Sequence, residues 1–140
     1  MAEISLITPT ISEYLALRNS VGWRTPDTEV TAIALKNSLI SAIAIEDDRV
    51  VGTVRIVGDG AMYFYIQDLI VHQQYQRRGI GSALMKAALQ WLHNNVPKGS
   101  LVSLTTESSL AEFYSRTGFT KVADILMQSD ESLEFRQSIK

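Results

Sequence analysis

The stretch Gln76-Arg77-Arg78-Gly79-Ile80-Gly81-Ser82 sets two guanidinium groups, a side-chain amide and two glycines between an apolar segment and a run at helical spacing. Glycine inside a helix costs roughly 0.5–1 kcal/mol relative to alanine, so two of them at a helix start call for a physical reason. The first backbone N–H groups of a helix have no intrahelical partner and lie at the positive end of its dipole. Glycines without Cβ let a bulky anion approach those donors, and Arg77 and Arg78 add charged donors beside them. The chemistry this predicts is the holding of a pyrophosphate.

Two other glycine-rich phosphate loops fail on named positions. No Lys-Ser or Lys-Thr follows these glycines, as a P-loop requires. A dinucleotide fingerprint would need glycine where Leu84 stands, with an acid for the ribose near Leu101-Val102-Ser103.

The elements that must position this loop follow from periodicity. Ile4–Ile7 reads as a short strand, Thr8-Pro9-Thr10 opens a helix running to Asn19, and Asp27-Thr28-Glu29 caps a second helix to Asn37 with Val30, Ile33 and Ala34 on one face. A hairpin follows, Leu39–Glu46 and Val50–Val57 around Asp47-Asp48, then a long strand Tyr63–His72. Ile80, Leu84, Ala87, Ala88 and Trp91 mark a helix from Gly79 to Asn95, stopped by Pro97-Lys98-Gly99. A strand at Leu101–Thr105, a helix at Leu110–Arg116 closed by Gly118, and strands at Thr120–Met127 and Ser132–Ile139 complete the order. Such connectivity predicts an α/β fold with a mixed, mostly antiparallel central sheet flanked by helices.

The chain has 140 residues, 46% of them hydrophobic, which suits a single domain over 1–140 with a real core. No apolar run reaches the roughly 18 residues a spanning helix needs, so no membrane role is expected. The start, Met1-Ala2-Glu3-Ile4-Ser5-Leu6, lacks the pattern of a signal peptide, and a cytoplasmic location is the default expectation. Without cysteine there is no disulfide, thiolate nucleophile or thiolate metal site, and His72 and His93 have no second ligand at metal spacing. No metal is expected. A net charge of −2 argues against a nucleic-acid partner.

Gln76-Arg77-Arg78-Gly79-Ile80-Gly81, preceded by Asp68-Leu69-Ile70-Val71, resembles the acetyl-coenzyme A signature Q/R-x-x-G-x-G/A of the GNAT superfamily of N-acetyltransferases. Ala111-Glu112-Phe113-Tyr114-Ser115-Arg116-Thr117-Gly118-Phe119 is similar to a second family segment, A-x-x-F-Y-x-x-x-G-F. The resemblance covers Val50 to Phe119 well. This chain departs from the family at Ser108, where asparagine is frequent, and at His72, where proline is common.

The resemblance implies an acyl-coenzyme A-binding fold and direct transfer of an acetyl group from acetyl-coenzyme A to a primary amine, with no covalent enzyme intermediate. It implies cofactor contacts at Leu69, Ile70, Val71, Gln76, Arg77, Arg78, Gly79, Ile80, Gly81, Ser82, Ser108 and Tyr114. A splay between neighbouring strands would free backbone N–H groups near Leu69 and Val71 for the acetyl carbonyl and the pantetheine arm. Tyr114 is implied as general acid to the leaving thiolate, and a phenol with pKa near 10 holds its proton at neutral pH. Asp68 would act as base or as partner of an ammonium, and Gln67 can position a water.

Trp23, Asp27 and Glu29 lie in the segment that shapes the acceptor pocket in this family, and an aromatic ring beside acids suits a cationic amine. Tyr65, with Tyr63, would line the same channel. The acceptor stays open between small amines and lysine-bearing proteins, as do the size of the acyl group and a homodimeric state. The alternative is a non-catalytic acyl-coenzyme A sensor with the same fold.

Overall fold

A computed structural model describes residues 1–122, in two compact units: Met1–Thr105, and a second that begins at Thr106. The first holds a five-stranded sheet in chain order, β1 (Glu3–Ser5), β2 (Ile40–Glu46), β3 (Arg49–Gly58), β4 (Tyr63–Val71) and β5 (Leu101–Ser103). All neighbours are antiparallel except β4 and β5, which are parallel. The expected α/β fold with a mixed, mostly antiparallel sheet is what forms. The strands expected at Thr120–Met127 and Ser132–Ile139 lie, beyond Val122, outside the described residues.

Helices α1 (Ile11–Ser20) and α2 (Thr28–Lys36) precede β2, and α3 (Ile80–Asn95) joins β4 to β5. The start of α1 is fixed by a capping box: Glu13 N–H donates to Thr10 Oγ1 (3.1 Å) and Thr10 N–H to Glu13 Oε1 (2.8 Å). The β2–β3 turn holds Asp47 and Asp48 both at positive φ, 53° and 58°, the geometry whose twist matches a tight hairpin.

Helix α2 corrects one expectation. Thr31 and Leu35 are its buried residues, while Val30 and Ile33 are 56% and 61% exposed. Asp27 takes the N-cap position but makes no side-chain cap hydrogen bond. Apolar spacing located the helix, yet Thr31 turns inward because its hydroxyl is satisfied by the Asp27 carbonyl (2.9 Å).

Leu84, Met85, Ala88 and Leu92 of α3 are buried. The helix lies so close to β3 that a Cβ on Gly52 would stand 2.9 Å from Leu84 Cδ1 and 3.1 Å from the Ile70 carbonyl oxygen. A short 3₁₀ turn, Gln73–Tyr75, connects β4 to the α3 entry loop and buries Tyr75. In the second unit a 3₁₀ turn, Ser108–Leu110, leads into α4 (Ala111–Ser115).

Candidate functional site

The centre of β4 is irregular. On β3, Thr53 and Arg55 pair with Ile70 and Gln67, so two residues of β4, Asp68 and Leu69, oppose Val54 alone. This is a bulge, with Asp68 in the left-handed region at φ 56°. An L-residue there costs roughly 1–2 kcal/mol, least for Asp and Asn, so the surroundings must hold it.

Four side chains do so. Arg55 Nε donates to Asp68 Oδ2 (2.7 Å), Gln67 Nε2 donates to Oδ1 (3.1 Å), and the Tyr14 hydroxyl donates to the same carboxylate. Arg18 Nη1 lies 3.5 Å from Oδ1. Burial alone would raise the pKa of Asp68, but the bonds from Tyr14 and Arg55, with the Arg55 charge, outweigh it and hold the carboxyl below its ordinary range. Burial, and then the hydrogen bond to Asp68, push the Tyr14 phenol up.

Past the bulge one edge of β4 is open among the described residues. Strand β5 pairs with it only along Tyr63, Phe64 and Tyr65; among the described residues nothing pairs beyond Tyr65 on that side. His72 N–H donates to the Val51 carbonyl (2.8 Å), and backbone direction alternates along a strand, so the polar groups of Val71 and Leu69 point away from β3. The Val71 carbonyl agrees, since it accepts from Gln76 Nε2 at 3.1 Å. The N–H groups of Leu69 and Val71 therefore face the open edge, while Ile70 pairs towards β3.

The loop from that edge to α3 contains two left-handed residues, Arg77 (φ 64°) and Gly79 (φ 81°). Gly79 is the α3 N-cap and accepts the first helical bond, from Ala83 N–H (3.1 Å). Among the described residues no side chain caps this end, no acid occupies the first turn, and a Cβ on Gly79 would meet nothing within 4 Å. The N–H groups of Ile80, Gly81 and Ser82 are thus left for an external anion.

The two arginines of the loop differ. Arg78 Nη1 donates to Glu46 Oε2 (3.2 Å), Nη2 to the Gln74 carbonyl (3.4 Å), and its guanidinium stacks 4.9 Å over the Tyr75 ring. Arg77 is exposed and has no ion-pair partner among the described residues. Arg78 thereby ties the loop to the β2–β3 hairpin.

Near the end of α1, the Arg18 guanidinium lies 5.4 Å over the Trp23 ring, and its Nε donates to the Arg24 carbonyl (2.8 Å). Asp27 and Glu29 are exposed and make no ion pair with Arg18 or Arg55. The Tyr65 hydroxyl bonds to Thr105. Tyr14, Arg18 and Arg55 had not been singled out in the sequence; they are 54, 50 and 13 residues from Asp68, and no spacing pattern links them.

In the second unit Tyr114 sits on α4, its ring edge-on to Phe113 at 5.0 Å. Burial raises its pKa, with a hydrogen bond from Thr106 pulling the other way, so the phenol holds its proton. Ser108 is exposed at the start of the 3₁₀ turn. Among the described residues no group of His, Asp or Glu side chains could hold a metal, and no helix is long and apolar enough to cross a membrane.

Comparison with known proteins meets this geometry. Residues 37–121 match the family described as Acetyltransferase (GNAT) domain. An uncharacterized N-acetyltransferase, ycf52, of Pyropia yezoensis is 32% identical over 116 residues, spanning 80% of this chain and 66% of its own length. A histone acetyltransferase, TAP1, of Glycine max is 32% identical over 120 residues, spanning 78% of this chain and 51% of its own. The chain thus spans only about half to two thirds of these relatives. A solved GNAT-family acetyltransferase from Streptococcus pneumoniae TIGR4 superposes with a TM-score of 0.76 at 36% identity, over 94% of this chain and all (100%) of that one. The chain belongs to the GNAT family of acetyltransferases.

Proposed function

We propose that this chain moves an acetyl group from acetyl-coenzyme A to a primary amine at the bulge of β4. The observation that supports the reading best is the open edge of β4 beyond Tyr65, with the Leu69 and Val71 N–H groups along it, leading into the uncapped start of α3. The residues fit the group. Leu69, Ile70 and Val71 would line the pantetheine arm, with donors from Leu69 and Val71; Ile80, Gly81 and Ser82 would give N–H donors to the pyrophosphate, with Gly79 leaving room and Arg77 supplying charge. Gln76 holds the Val71 carbonyl and so the loop. Bound there, the cofactor would supply an activated acetyl thioester.

The remaining work belongs to side chains. A primary amine with a pKa of about 10.4 is only roughly one part in a thousand neutral at pH 7, so a proton must leave it. Asp68, already bonded to Tyr14, Arg55 and Gln67, is a weak proton acceptor; we assign it the holding of the bulge, and Gln67 the orientation of a water that takes the proton. Tyr114 would donate to the departing sulfur, a role that rests on its place in the family segment and on its retained proton. Ser108 would contribute a hydroxyl to the same ligand.

The test is thiol release from acetyl-coenzyme A with the purified chain against a panel of primary amines, small and lysine-bearing. At least one amine should raise release clearly above hydrolysis; tight cofactor binding with no amine-dependent release would sink the proposal. Tyr114→Phe should leave cofactor affinity unchanged and slow the single-turnover rate by about 10²-fold. A rate within about twofold of the parent would reduce Tyr114 to packing.

A further inference from the structure

Among the described residues, the charges around the bulge do not balance. Arg18 comes from α1 and Arg55 from β3, and both reach Asp68, the one acid within ion-pair distance of either among the described residues. Their side chains are 15% exposed and that of Asp68 is 2% exposed. Tyr14, Gln67 and Ser38 complete the contacts and are neutral, the Tyr14 phenol because burial and Asp68 keep it protonated. Among the described residues, two cations against one anion leave this site with one positive charge in excess, and a partly buried charge of that kind is costly unless something answers it.

One donor nitrogen of each arginine is also unspent among the described residues. Arg55 uses Nε on Asp68 and Nη1 on Ser38 Oγ (3.2 Å); Arg18 uses Nε on the Arg24 carbonyl and Nη1 on the Tyr14 hydroxyl (3.2 Å) and Asp68. The Nη2 of each has no hydrogen-bond partner among the described residues. The free Nη2 groups of the two arginines can donate to an oxyanion, and carboxylate and phosphate are the common anions that guanidinium donors match. Their anchor, Asp68, immediately precedes Leu69, whose N–H faces the open edge of β4.

We propose that the acceptor amine carries a carboxylate close to its nitrogen, as an amino acid does, and that Arg18 and Arg55 bind it. This rests on the acetyltransferase reading and narrows it. It also displaces the expectation of a cationic acceptor stacked on Trp23, because Arg18 already occupies a face of that ring and the site repels a second cation.

The experiment compares matched pairs: L-amino acids and their primary amides, which have the same side chain and amine but no carboxylate, with spermidine as the cationic control. Thiol release is followed at saturating acetyl-coenzyme A. The free carboxylates should lead their amides by about 10²-fold in kcat/KM, less than the 10⁴–10⁵ of fully enclosed hydrogen-bonding sites because the arginines keep some contact with water. Amides equal to or better than the acids, or spermidine as the best acceptor, would overturn the carboxylate proposal and leave the acetyltransferase reading standing. No release with any amine would overturn both. Arg18→Lys keeps a charge opposite Asp68 but loses the fork, so the acid-to-amide ratio should shrink mainly through KM; an unchanged ratio in the folded variant would remove Arg18 from the assignment.

Discussion

On the face of β3 and β4 that carries α3, Leu84 and Ile80 lie against the bare Cα of Gly52; on the opposite face, Tyr14 and Arg18 of α1 meet Arg55 and Asp68. The first contact is one of shape. Absence of a Cβ lets the helix settle within van der Waals distance of the sheet, and that depth fixes where the N–H groups of α3 stand relative to the end of β4. The second is one of charge. A left-handed aspartate, strained by its backbone, is held by four donors, and its position creates the bulge. One strand is thus placed by packing on one side and bent by electrostatics on the other, and the two should fail differently.

The charged face should show the larger loss. Asp68→Asn keeps the size and the tolerance for positive φ but leaves Arg18 and Arg55 facing each other with no anion between them. Removing one partner of a buried ion pair costs about 3–5 kcal/mol, and these arginines are enclosed enough for the lower end of that range to apply. Urea unfolding measures it; a loss below about 1 kcal/mol would show that the carboxylate is not what holds the bulge. The same carboxylate gives a pH dependence with a definite sign. Its folded pKa lies below the unfolded value of about 3.9, so its contribution is present above that pH and is lost as pH falls through the folded value. Asp68→Asn should therefore flatten stability against pH below about 4 and leave the slope near neutrality unchanged.

The apolar face should lose less, and without pH dependence. In Gly52→Ala the new methyl meets Leu84 Cδ1, which can rotate away, but also the Ile70 carbonyl oxygen at 3.1 Å, which cannot do so cheaply. A loss of about 1–3 kcal/mol is expected, constant from pH 4 to 7. Cofactor affinity should fall with it, because displacing α3 moves the donors of Ile80, Gly81 and Ser82; calorimetry with coenzyme A reads that second effect. Unchanged affinity in the folded variant would separate the depth of α3 from the proposed anion site.

This contrast also explains what could be read in the sequence. The loop from Gln76 to Ser82, the hairpin at Asp47-Asp48, β4 and α3 were legible because each depends on neighbours within a few positions: turn residues, alternation, a repeated apolar face. The buried side of α2 was misread because Thr31 buries a hydroxyl by bonding one turn back, whereas Val30 and Ile33 look more suited to a core. Asp68 was noticed, but its role as the centre of an ion cluster was not, since Tyr14, Arg18 and Arg55 reach it only through the tertiary fold. Gly52 carried no signal at all, being an ordinary strand glycine until α3 lies over it.

The smallest expected effect tests whether the charged face ends at Arg55. Ser41 stands directly across the β2–β3 ladder from Arg55 and therefore on the same face, 3% exposed, yet its Oγ has no partner among the described residues. Arg55 turns instead to Ser38 and Asp68. If the Ser41 hydroxyl is outside the network, Ser41→Ala removes a buried polar atom that makes no bond, and stability should stay level or rise by up to about 1 kcal/mol, since an unsatisfied buried hydroxyl carries a desolvation penalty. The acid-to-amide preference should not move either. A loss of more than about 1 kcal/mol, or a changed preference, would mean that Ser41 bonds to Arg55 in solution, and the polar face would then extend from β4 through β3 to β2.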